Sequence, residues 1–339
     1  MLNGKRILVT GGTGSFGQAF TKYVLDESQP SELIIFSRDE YKQSEMAKTF
    51  APEEHPIRYF LGDVRDKERL LRAFTGVDYV VHAAALKQVP ALEQNPFEAV
   101  RTNVLGAQNV IEAALERSVS RVVAISTDKA VGPINLYGAT KLVMEKLFVA
   151  ANAYVRYRDI GFAVVRYGNV IGSRGSVIPY FLELIEHGER ELPVTDESMT
   201  RFWITLDRGV KLVARALSEA HGGEVYVPRI PSMSVLDMLA AMPESCTHRI
   251  IGRRPGEKLH EILISEDEAR RTVDCGECYV ILPEFAGADW ADCYLGCMGA
   301  VPEGFSYRSE SNTEWVSVED MRRLIEKPCA RPVTDDRTL

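Results

Sequence analysis

Short apolar segments alternate with longer segments of helical periodicity through the first half of the chain. The apolar segments are Arg6–Thr10, Leu33–Ser37, Ile57–Leu61, Tyr79–His82, Val122–Ser126 and Ala163–Tyr167. The segments of helical period that follow them include Phe16–Leu25, Lys67–Phe74, Pro96–Arg117 and Tyr137–Tyr157. This alternation is typical of βαβ units, and strands that are apolar throughout are typical of a parallel sheet buried on both faces. We therefore predict an α/β fold built on a doubly wound parallel sheet.

The alternation weakens after residue 170, where glycine, proline and isolated aromatic residues become more frequent. Three short helices are still predicted there, at Ser176–His187, Val235–Met242 and Ser317–Ile325. We predict a main domain over residues 1–170, a smaller C-terminal α/β domain over residues 171–325 that mainly binds the substrate, and a mobile polar tail over residues 326–339.

Composition narrows the class of protein without identifying it. The chain has 339 residues, of which 45% are hydrophobic and 26% are charged, and its formal net charge is −8. These values are ordinary for a globular protein, they exclude global disorder, and the acidic balance argues against nucleic acid as a partner. The chain shows no signal-peptide pattern and no apolar run long enough to span a membrane. We therefore expect a cytoplasmic protein with no membrane partner.

Four of the six cysteines are spaced like the ligands of a zinc site. Cys275 and Cys278 form a Cys-x-x-Cys pair, and Cys293 and Cys297 form a Cys-x-x-x-Cys pair further along the chain. A reducing cytoplasm keeps thiols free or metal-bound. We expect unconnected thiols with no part in catalysis, and a structural zinc site is the alternative.

A glycine-rich turn follows the first predicted strand and opens the first predicted helix. Gly11, Gly14 and Gly17 form the pattern Gly-x-x-Gly-x-x-Gly. Glycine lets the backbone turn tightly and lets its N–H groups approach a pyrophosphate, which the positive end of the helix dipole also attracts. In this strand–turn–helix context the pattern predicts a Rossmann-like dinucleotide-binding domain. The residues predicted to bind the cofactor here are Gly11, Thr13, Gly14, Ser15, Phe16 and Gly17.

The end of the second strand indicates which dinucleotide is bound. A site that prefers NAD places an acidic residue there to hold the ribose hydroxyls. This chain has Ser37 and Arg38, and arginine pairs well with the 2′-phosphate of NADP. We predict NADP, with the alternative that Arg38 is simply exposed and Asp39 faces the ribose. Further predicted cofactor contacts follow the next two strands: Asp63 and Val64, Ala83 and Ala84, and Lys87.

Tyr137 and Lys141 form a Tyr-x-x-x-Lys pair, which places both side chains on one face of a helix. A nearby ammonium lowers the pKa of a phenol, and Tyr137 is then able to take a proton from an alcohol. Thr127 lies at the end of the fifth strand, the edge of an open sheet where active sites form, and Asn103 is a supporting polar group near the cofactor. We predict that Thr127, Tyr137 and Lys141 act in catalysis, and that Asn103, Tyr137 and Lys141 contact the cofactor.

These motifs together resemble the extended short-chain dehydrogenase/reductase superfamily, and further segments resemble its inverting UDP-N-acetylglucosamine 4,6-dehydratases. Those segments are Ala85–Pro90, Ser126–Ala130, Asn135–Lys141 and Arg254–Glu261. The resemblance runs from residue 4 to residue 325 and is weakest over Cys275–Pro302. The Asp128–Lys129 pair is its most specific part, because ordinary epimerases of the superfamily lack that pair.

The resemblance implies roles that residue spacing alone does not supply. It makes Lys129 the base that takes the proton from carbon 5 and Asp128 the acid that protonates the departing carbon 6 hydroxyl. Lys129 has to be neutral to act as a base, and we expect burial and the charge of Lys141 to favour that form. The alternative is that Asp128 and Lys129 only pair with each other. The implied substrate contacts are Lys87, Thr127, Asn169, Ile178, Phe181, Thr195, Arg201, Arg254 and Glu257.

The resemblance also implies the reaction. The expected enzyme is a hydro-lyase with bound NADP that converts UDP-N-acetylglucosamine to a 4-keto-6-deoxy sugar with inversion at carbon 5. This would be a first step towards pseudaminic acid or related surface-glycan sugars. The expected assembly is a homo-oligomer, a dimer or a hexamer. The alternatives are a retaining 4,6-dehydratase, a UDP-sugar 4-epimerase and a non-catalytic NADP-sensing protein.

Overall fold

Strands and helices alternate along the chain much as the hydrophobic pattern predicts. The computed structural model describes residues 2–155, 159–243, 245–284, 294, 297 and 299–326. The elements of the first half are β1 Arg6–Thr10, α1 Ser15–Glu27, β2 Glu32–Ser37, α2 Glu40–Ala47, β3 Ile57–Leu61, α3 Lys67–Ala73, β4 Tyr79–His82, α4 Val89–Gln94, α5 Pro96–Ala99, α6 Gly106–Arg117, β5 Arg121–Thr127, α7 Leu136–Ala151 and β6 Gly161–Tyr167. Those that follow are β7 Asn169–Val170, α8 Val177–Glu186, β8 Glu191–Val194, β9 Thr200–Ile204, α9 Leu206–Glu219, β10 Val225–Pro228, β11 Ser232–Ser234, α10 Val235–Ala240, β12 Thr247–Ile250, β13 Ile262–Ile264, α11 Glu266–Ala269, β14 Thr272–Asp274, β15 Cys278–Ile281, β16 Gly299–Ala300, β17 Tyr307–Arg308 and α12 Val318–Glu326.

The predicted strands form one mainly parallel sheet. Within the described residues its strand order is β16-β14-β15-β10-β6-β5-β4-β1-β2-β3, and all strands from β10 to β3 in that order are parallel. Helices α1 and α9 pack together, as do α3, α6 and α7, and β1 and β2 are buried along nearly their whole length. The strand order runs from β1 to β2 and β3 on one side of the sheet and from β4 to β5 and β6 on the other side. Ligands bind at the carboxyl ends of the strands where the strand order reverses in this way. The doubly wound α/β fold is confirmed.

A second apolar core lies outside the main sheet. It contains side chains of α8, β8, β9, α10 and α12, among them Phe181, Leu192, Trp203, Met238 and Met321. The chain after residue 170 also returns to the main sheet, because β10 pairs with β6, and β15 pairs with β10. The division into domains of residues 1–170 and 171–325 stays a prediction, and the predicted tail lies outside the described residues from residue 327 onwards.

Two predicted helices are shorter than the periodicity suggests. The segment Pro96–Arg117 is divided by a π-helical turn, Val100–Leu105, between α5 and α6. Helix α7 ends at Ala151 because the side-chain amide of Asn152 exchanges hydrogen bonds with the backbone N–H and carbonyl of Phe162, which leads the chain towards β6. None of the helices in the described part of the chain is long and apolar enough to cross a membrane.

The expectation of four unconnected thiols is wrong, and so is the four-cysteine zinc alternative. Cys275 lies in the turn between β14 and β15 and forms a disulfide with Cys297. Cys278 points into the core from β15, where burial raises the pKa of its thiol to about 11. Cys293 lies outside the described residues. Among the described residues no cluster of three or more histidine, cysteine or acidic side chains is arranged to hold a metal ion.

Gly17 shows how tightly α1 packs against the turn that precedes it. A Cβ atom at Gly17 would lie 2.2 Å from the carbonyl oxygen of Gly12. Replacement of Gly17 by alanine is therefore expected to lower the free energy of unfolding by about 1–3 kcal/mol, because backbone has to move to make room. Urea denaturation measures the change.

Gly209 provides the matched control, since it also lies within a helix but a Cβ there would be 3.8 Å from its nearest neighbour, an atom of Tyr167. Gly209→Ala is expected to leave stability unchanged or to raise it by up to about 1 kcal/mol. An equal loss of stability in both variants would contradict the close-packing account of Gly17.

Candidate active site

A cavity of ≈ 900 Å³ opens at the carboxyl ends of β1, β2, β4, β5 and β6. Its far wall is formed by the segment after β6, by the start of α8 and by Arg254–Glu261. The cavity therefore lies between the main sheet and the second apolar core, at the carboxyl ends of the neighbouring strands β1 and β4, where the strand order reverses. Its volume is typical of cofactor and substrate sites.

The glycine-rich turn forms the floor of this cavity. Gly11 has a φ of +66°, which a side chain rarely permits, and a Cβ there would lie 2.8 Å from the Cα of Ala84. Gly14 is the N-cap residue of α1, so no capping side chain competes with a ligand for the first N–H groups of the helix. The turn thus fits the pyrophosphate of a dinucleotide, which needs close backbone approach and N–H donors.

The predicted cofactor contacts line the cavity, with one exception. Those that line it are Gly11, Thr13, Gly14, Ser15, Phe16, Gly17, Ser37, Arg38, Asp63, Val64, Ala83, Ala84, Lys87, Tyr137 and Lys141. Asn103 does not, and its contact with the cofactor stays a prediction. It is buried in the π-helical turn, where its amide bonds the N–H and carbonyl of Leu86 and the hydroxyl of Thr140. Asn103 therefore ties the loop after β4 to helix α7.

Arg38 and Asp39 both line the cavity at the end of β2, but only Asp39 is engaged as a helix cap. The carboxylate of Asp39 accepts a hydrogen bond from the backbone N–H of Lys42, as the N-cap of α2, and pairs with the Lys42 side chain at 2.7 Å. These contacts lower the pKa of Asp39. The guanidinium of Arg38 is more than half exposed and lies 3.8 Å from Asp63 at the cavity wall. Ser37 hydrogen-bonds Thr13 at 2.9 Å, which joins this strand end to the glycine turn.

The predicted Asp128–Lys129 pair forms at the end of β5. The Lys129 ammonium lies 2.9 Å from Oδ1 of Asp128, 3.3 Å from Oδ1 of Asn169 and 3.3 Å from Oε1 of Glu261. The hydroxyl of Thr127 donates to the same Asp128 oxygen at 2.9 Å. Lys129, Thr127, Asn169 and Glu261 line the cavity, whereas Asp128 is fully buried behind them.

The Lys129 amine is held as an ammonium, contrary to the expectation of a neutral amine. Burial by itself lowers the pKa of Lys129, but the carboxylates of Asp128 and Glu261 outweigh burial and raise that pKa above its usual value. Three oxygen atoms surround the three N–H donors of the ammonium. A base at this position therefore has to pass a proton to a neighbour first.

Tyr137 and Lys141 lie on the cavity side of α7, as the spacing predicts. Burial raises the pKa of Tyr137 to about 12, and Lys129 opposes that increase. The Lys141 ammonium donates to the carbonyl of Ile125 at 2.6 Å, and burial lowers its pKa to about 8. The cation that lowers the pKa of the Tyr137 phenol in this structure is Lys129, which differs from the predicted action of Lys141.

Most of the implied substrate contacts reach the cavity. Lys87, Thr127, Asn169, Phe181, Thr195, Arg201, Arg254 and Glu257 line it. Ile178 does not, because it points into the second apolar core and is 2% exposed. Arg201 reaches the wall, but its guanidinium donates to the carbonyls of Thr200, Lys258 and Leu259. The structure therefore makes Arg201 a support for the Arg254–Glu261 segment, and Ile178 a core residue.

Two functional candidates escape prediction from the sequence. Arg174 lies over the glycine turn, with its guanidinium 3.3 Å from the carbonyl of Thr13 and its backbone N–H bonded to Ser15. Burial, aided by the nearby charge of Arg174, lowers the pKa of Lys87. Glu261, the second, contacts Lys129 from another part of the chain. A sequence signal existed for each: Arg174 follows the same strand end as Asn169, and Glu261 closes the Arg254–Glu261 motif.

The fold and the site together define a class of protein. A doubly wound sheet, a glycine-rich turn at its switch point and a Tyr–Lys pair beside the same cavity are the parts of a Rossmann-fold enzyme of the short-chain dehydrogenase/reductase type.

Comparison with known proteins identifies the family within that class. The family described as "Polysaccharide biosynthesis protein" matches residues 7–283. A curated relative from Campylobacter jejuni subsp. jejuni serotype O:23/36 (strain 81-176), named UDP-N-acetylglucosamine 4,6-dehydratase (inverting), is 50% identical over 330 residues, which cover 96% of this chain and 98% of the relative. The chain belongs to the polysaccharide biosynthesis protein family.

Two solved structures share the fold. The X-ray structure of Pen from Bacillus thuringiensis matches with a TM-score of 0.88 and 38% identity, over 96% of this chain and 98% of that one. The dTDP-glucose 4,6-dehydratase DesIV from Streptomyces venezuelae, solved with NAD and TYD bound, matches with a TM-score of 0.66 and 26% identity, over 75% of this chain and 86% of that one.

Proposed function

We propose that this protein is a UDP-N-acetylglucosamine 4,6-dehydratase that inverts carbon 5. The observation that carries the proposal is the Thr127–Asp128–Lys129 cluster beside Tyr137 in one cavity. An enzyme that only oxidises and reduces carbon 4 needs a single proton acceptor there. Removal of the carbon 5 proton and of the carbon 6 hydroxyl needs a second base and an acid, and this cluster contains both. The name of the Campylobacter jejuni relative supports the same reaction.

The cofactor of this proposal is NADP, held by the glycine-rich turn, Ser37, Arg38 and Asp63. When bound, its nicotinamide takes a hydride from carbon 4 and returns it to carbon 6. The NAD bound to DesIV supports a nicotinamide cofactor in this fold. The choice of NADP rests on Arg38, which is exposed at the cavity wall while Asp39 is engaged as a helix cap. The bidentate guanidinium suits a 2′-phosphate.

Arg38→Ala is accordingly expected to weaken NADP binding about 10- to 100-fold, which corresponds to the loss of one charge-assisted hydrogen-bonded contact. NAD binding should be nearly unchanged, because NAD has no 2′-phosphate. Isothermal titration calorimetry with both dinucleotides measures the effect. Arg58→Ala is the control, since that arginine stacks on Phe60 away from the cavity. Tighter binding of NAD than of NADP by the unaltered protein would contradict the assignment.

The first proton transfer of the proposed reaction falls to Tyr137. Its phenol lines the cavity at the N-terminal end of α7, and Lys129 lowers its proton affinity against the effect of burial. As a phenolate, Tyr137 accepts the proton of the carbon 4 hydroxyl when that carbon is oxidised. The resulting 4-keto group makes the carbon 5 proton acidic, so oxidation has to precede elimination.

Elimination then uses one proton that the Asp128–Lys129 pair already holds. The ammonium passes a proton to Oδ1 of Asp128, 2.9 Å away, which leaves Lys129 neutral and Asp128 protonated. Lys129 takes the carbon 5 proton. Asp128 is buried and reaches the cavity through the hydroxyl of Thr127, which accepts its proton and gives its own to the departing carbon 6 hydroxyl. One water leaves, and the pair returns to its charged form. Reduction of carbon 6 is completed by a proton that adds to carbon 5 on the face opposite to the one it left, and loss of the extra proton from Tyr137 balances that addition.

The diphosphate of the substrate needs cations on the cavity wall. Lys87 and Arg174 provide two on the side of the glycine turn, and Arg254 provides a third, exposed at the rim. We assign Thr195, Phe181 and Glu257 to the nucleoside portion because they line the opposite wall.

The working enzyme of this proposal is a cytoplasmic homo-oligomer. Support for self-association comes from apolar side chains that the described residues leave exposed on neighbouring helices: Phe97 at 76%, Leu105 at 46% and Val143 at 44%. Large exposed apolar side chains on adjacent helices are typical of interfaces.

Mass spectrometry of the product tests the proposed function. The purified protein is incubated with UDP-N-acetylglucosamine and a substoichiometric amount of NADP. A product lighter by one water, without net consumption of NADP, is expected for a hydro-lyase. A product of unchanged mass would instead indicate a 4-epimerase, and no turnover of any UDP-hexose would indicate a non-catalytic protein.

A further inference from the structure

Glu261 is a buried carboxylate in the wall of the cavity, and it has no role in the proposed elimination steps. Its side chain is 3% exposed, and its Oε1 atom lies 3.3 Å from the Lys129 ammonium. Within the described residues, Asp128 and Glu261 are the carboxylates that contact Lys129. Asp128 lies behind the wall and Glu261 lines the cavity, so the amine is placed between a rear and a front carboxylate.

The backbone of Glu261 is fixed in place. Its N–H donates to the hydroxyl of Ser309 at 2.9 Å, and the N–H of Ser309 donates back to the carbonyl of Glu261 at 2.9 Å. Ser309 is fully buried and hydrogen-bonds Thr200 at 2.7 Å. The backbone that carries the carboxylate is thus held at both its N–H and its carbonyl, which is what a group needs in order to orient another side chain.

The remaining charges around Glu261 are cations at longer range. Nζ of Lys258 lies 3.8 Å from Oε2, and Nε of Arg201 lies 4.0 Å from Oε1. Both donate their hydrogen bonds elsewhere, Lys258 to the carbonyl of Val131 and Arg201 to backbone carbonyls of its neighbours. Oε2 of Glu261 is buried without a hydrogen-bond partner among the described residues. Lys129 is therefore the cation closest to this carboxylate.

The contact between Glu261 and Lys129 bears on the proposed elimination. When Lys129 takes the carbon 5 proton, Asp128 has already accepted a proton and is neutral. The new positive charge on the amine then forms next to Glu261, the carboxylate that still carries its charge. Glu261 attracts the ammonium both at rest and after the carbon 5 proton is taken, so its use lies in holding the amine at the cavity wall throughout the step.

We infer that Glu261 is a positioning residue for Lys129, which holds the amine at the cavity wall between Asp128 and Asn169 while the carbon 5 proton is removed. The inference rests on the proposed dehydratase function. In the step itself the C5–H bond breaks, a new N–H bond forms on Lys129, and the electron pair left on carbon 5 forms the C5–C6 double bond as the C6–O bond breaks. Glu261 neither gains nor loses a proton.

Glu261→Gln tests the inference, because glutamine keeps the size of the side chain and removes its charge. The expected result is a decrease in kcat of about 10²-fold with KM within a few-fold of the original value, as for a base that is no longer held in its productive position. Incorporation of solvent deuterium at carbon 5 should fall in parallel. Oxidation at carbon 4, which is monitored by the absorbance of reduced nicotinamide, should persist.

The pH profile separates an electrostatic role from a structural one. Activity requires the Asp128–Lys129 pair to hold one proton, and loss of that proton from Lys129 contributes an alkaline limit of kcat that lies above the pKa of Lys141, which is about 8, and that also acts on Tyr137, which faces Lys129. Removal of the Glu261 charge makes Lys129 lose its proton more readily, so the alkaline limit of Glu261→Gln should move to lower pH by about one pH unit or more. Asp128, Arg201 and Lys258 remain in place and keep their charges.

Glu261→Asp and Glu310→Gln complete the experiment. Aspartate restores the charge, so Glu261→Asp should recover about tenfold or more of the activity that Glu261→Gln loses and should restore the pH profile. Glu310 pairs with Arg308 on the neighbouring strand and lies away from Lys129, so Glu310→Gln should behave like the unaltered enzyme.

Two results would overturn the inference. One is an unchanged kcat in Glu261→Gln, and the other is an equal loss in Glu261→Gln and Glu261→Asp with an unchanged pH profile and a lowered melting temperature. In both cases the unaltered enzyme still dehydrates UDP-N-acetylglucosamine. If the unaltered enzyme releases no water, the proposed function fails and this inference fails with it.

Discussion

Lys129→Met is expected to stop the reaction after oxidation at carbon 4. Methionine has a similar length but no amine, so the carbon 5 proton has no acceptor, and release of water should fall by about 10³-fold or more. Tyr137 keeps its phenol but loses the cation that lowers its pKa, so oxidation should become slower and still take place. Reduced nicotinamide should therefore accumulate instead of being consumed. Absorbance of the reduced nicotinamide and mass spectrometry of the product, recorded on the same sample, measure the two steps.

The control for this variant is Lys146→Met, which removes an exposed lysine from the same helix as Tyr137. It should leave both steps unchanged. Because Lys129→Met leaves the carboxylates of Asp128 and Glu261 without their shared cation, the melting temperature has to be measured as well. Water release by a folded Lys129→Met protein at the original rate would show that another group removes the carbon 5 proton.

Tyr137→Phe is expected to stop the reaction one step earlier. Phenylalanine keeps the ring and loses the atom that accepts the carbon 4 hydroxyl proton, so oxidation should fall by about 10³-fold. No reduced nicotinamide should form, no water should be released, and carbon 5 should not exchange with solvent deuterium. Binding of UDP-N-acetylglucosamine should persist, since the cavity wall keeps its shape.

Tyr154→Phe is the matched control, because Tyr154 is 77% exposed and lies beyond the end of α7. It should leave every step unchanged. The two active-site variants are also informative together: one should accumulate reduced nicotinamide and the other should not. The same phenotype in both would contradict the separation of oxidation from elimination.

The sequence predicts the main sheet well because each central strand is buried on both faces. Such strands read as continuous apolar runs, and their predicted limits agree with the structure to within a few residues, as in Arg6–Thr10 and Val122–Ser126. The division between α5 and α6 has no such signal. Gly106 opens α6 directly after the π-helical turn, but a lone glycine within a helical pattern does not predict such a turn, which contains Asn103 with its amide bonded to the distant backbone of Leu86.

In the candidate site, too, residues of continuous motifs can be predicted from the sequence, whereas contacts between distant segments cannot. Gly11, Tyr137 and Lys129 belong to motifs that are continuous in the sequence, so their placement beside one cavity can be predicted. The charge state of Lys129 cannot, because it depends on Glu261, which arrives from a segment more than a hundred residues away. Ile178 also shows the limit of motif reasoning: its apolar side chain turns into the second core instead of the cavity.

NMR analysis of the product formed in deuterated water tests the central claim most directly. The account predicts that UDP-N-acetylglucosamine yields a 4-keto-6-deoxy sugar with one deuterium at carbon 5 and with the configuration at carbon 5 inverted. Retention at carbon 5 would contradict the inverting assignment. A sugar that keeps its carbon 6 hydroxyl and carries no deuterium at carbon 5 would contradict the dehydratase itself, together with the roles given to Asp128 and Lys129.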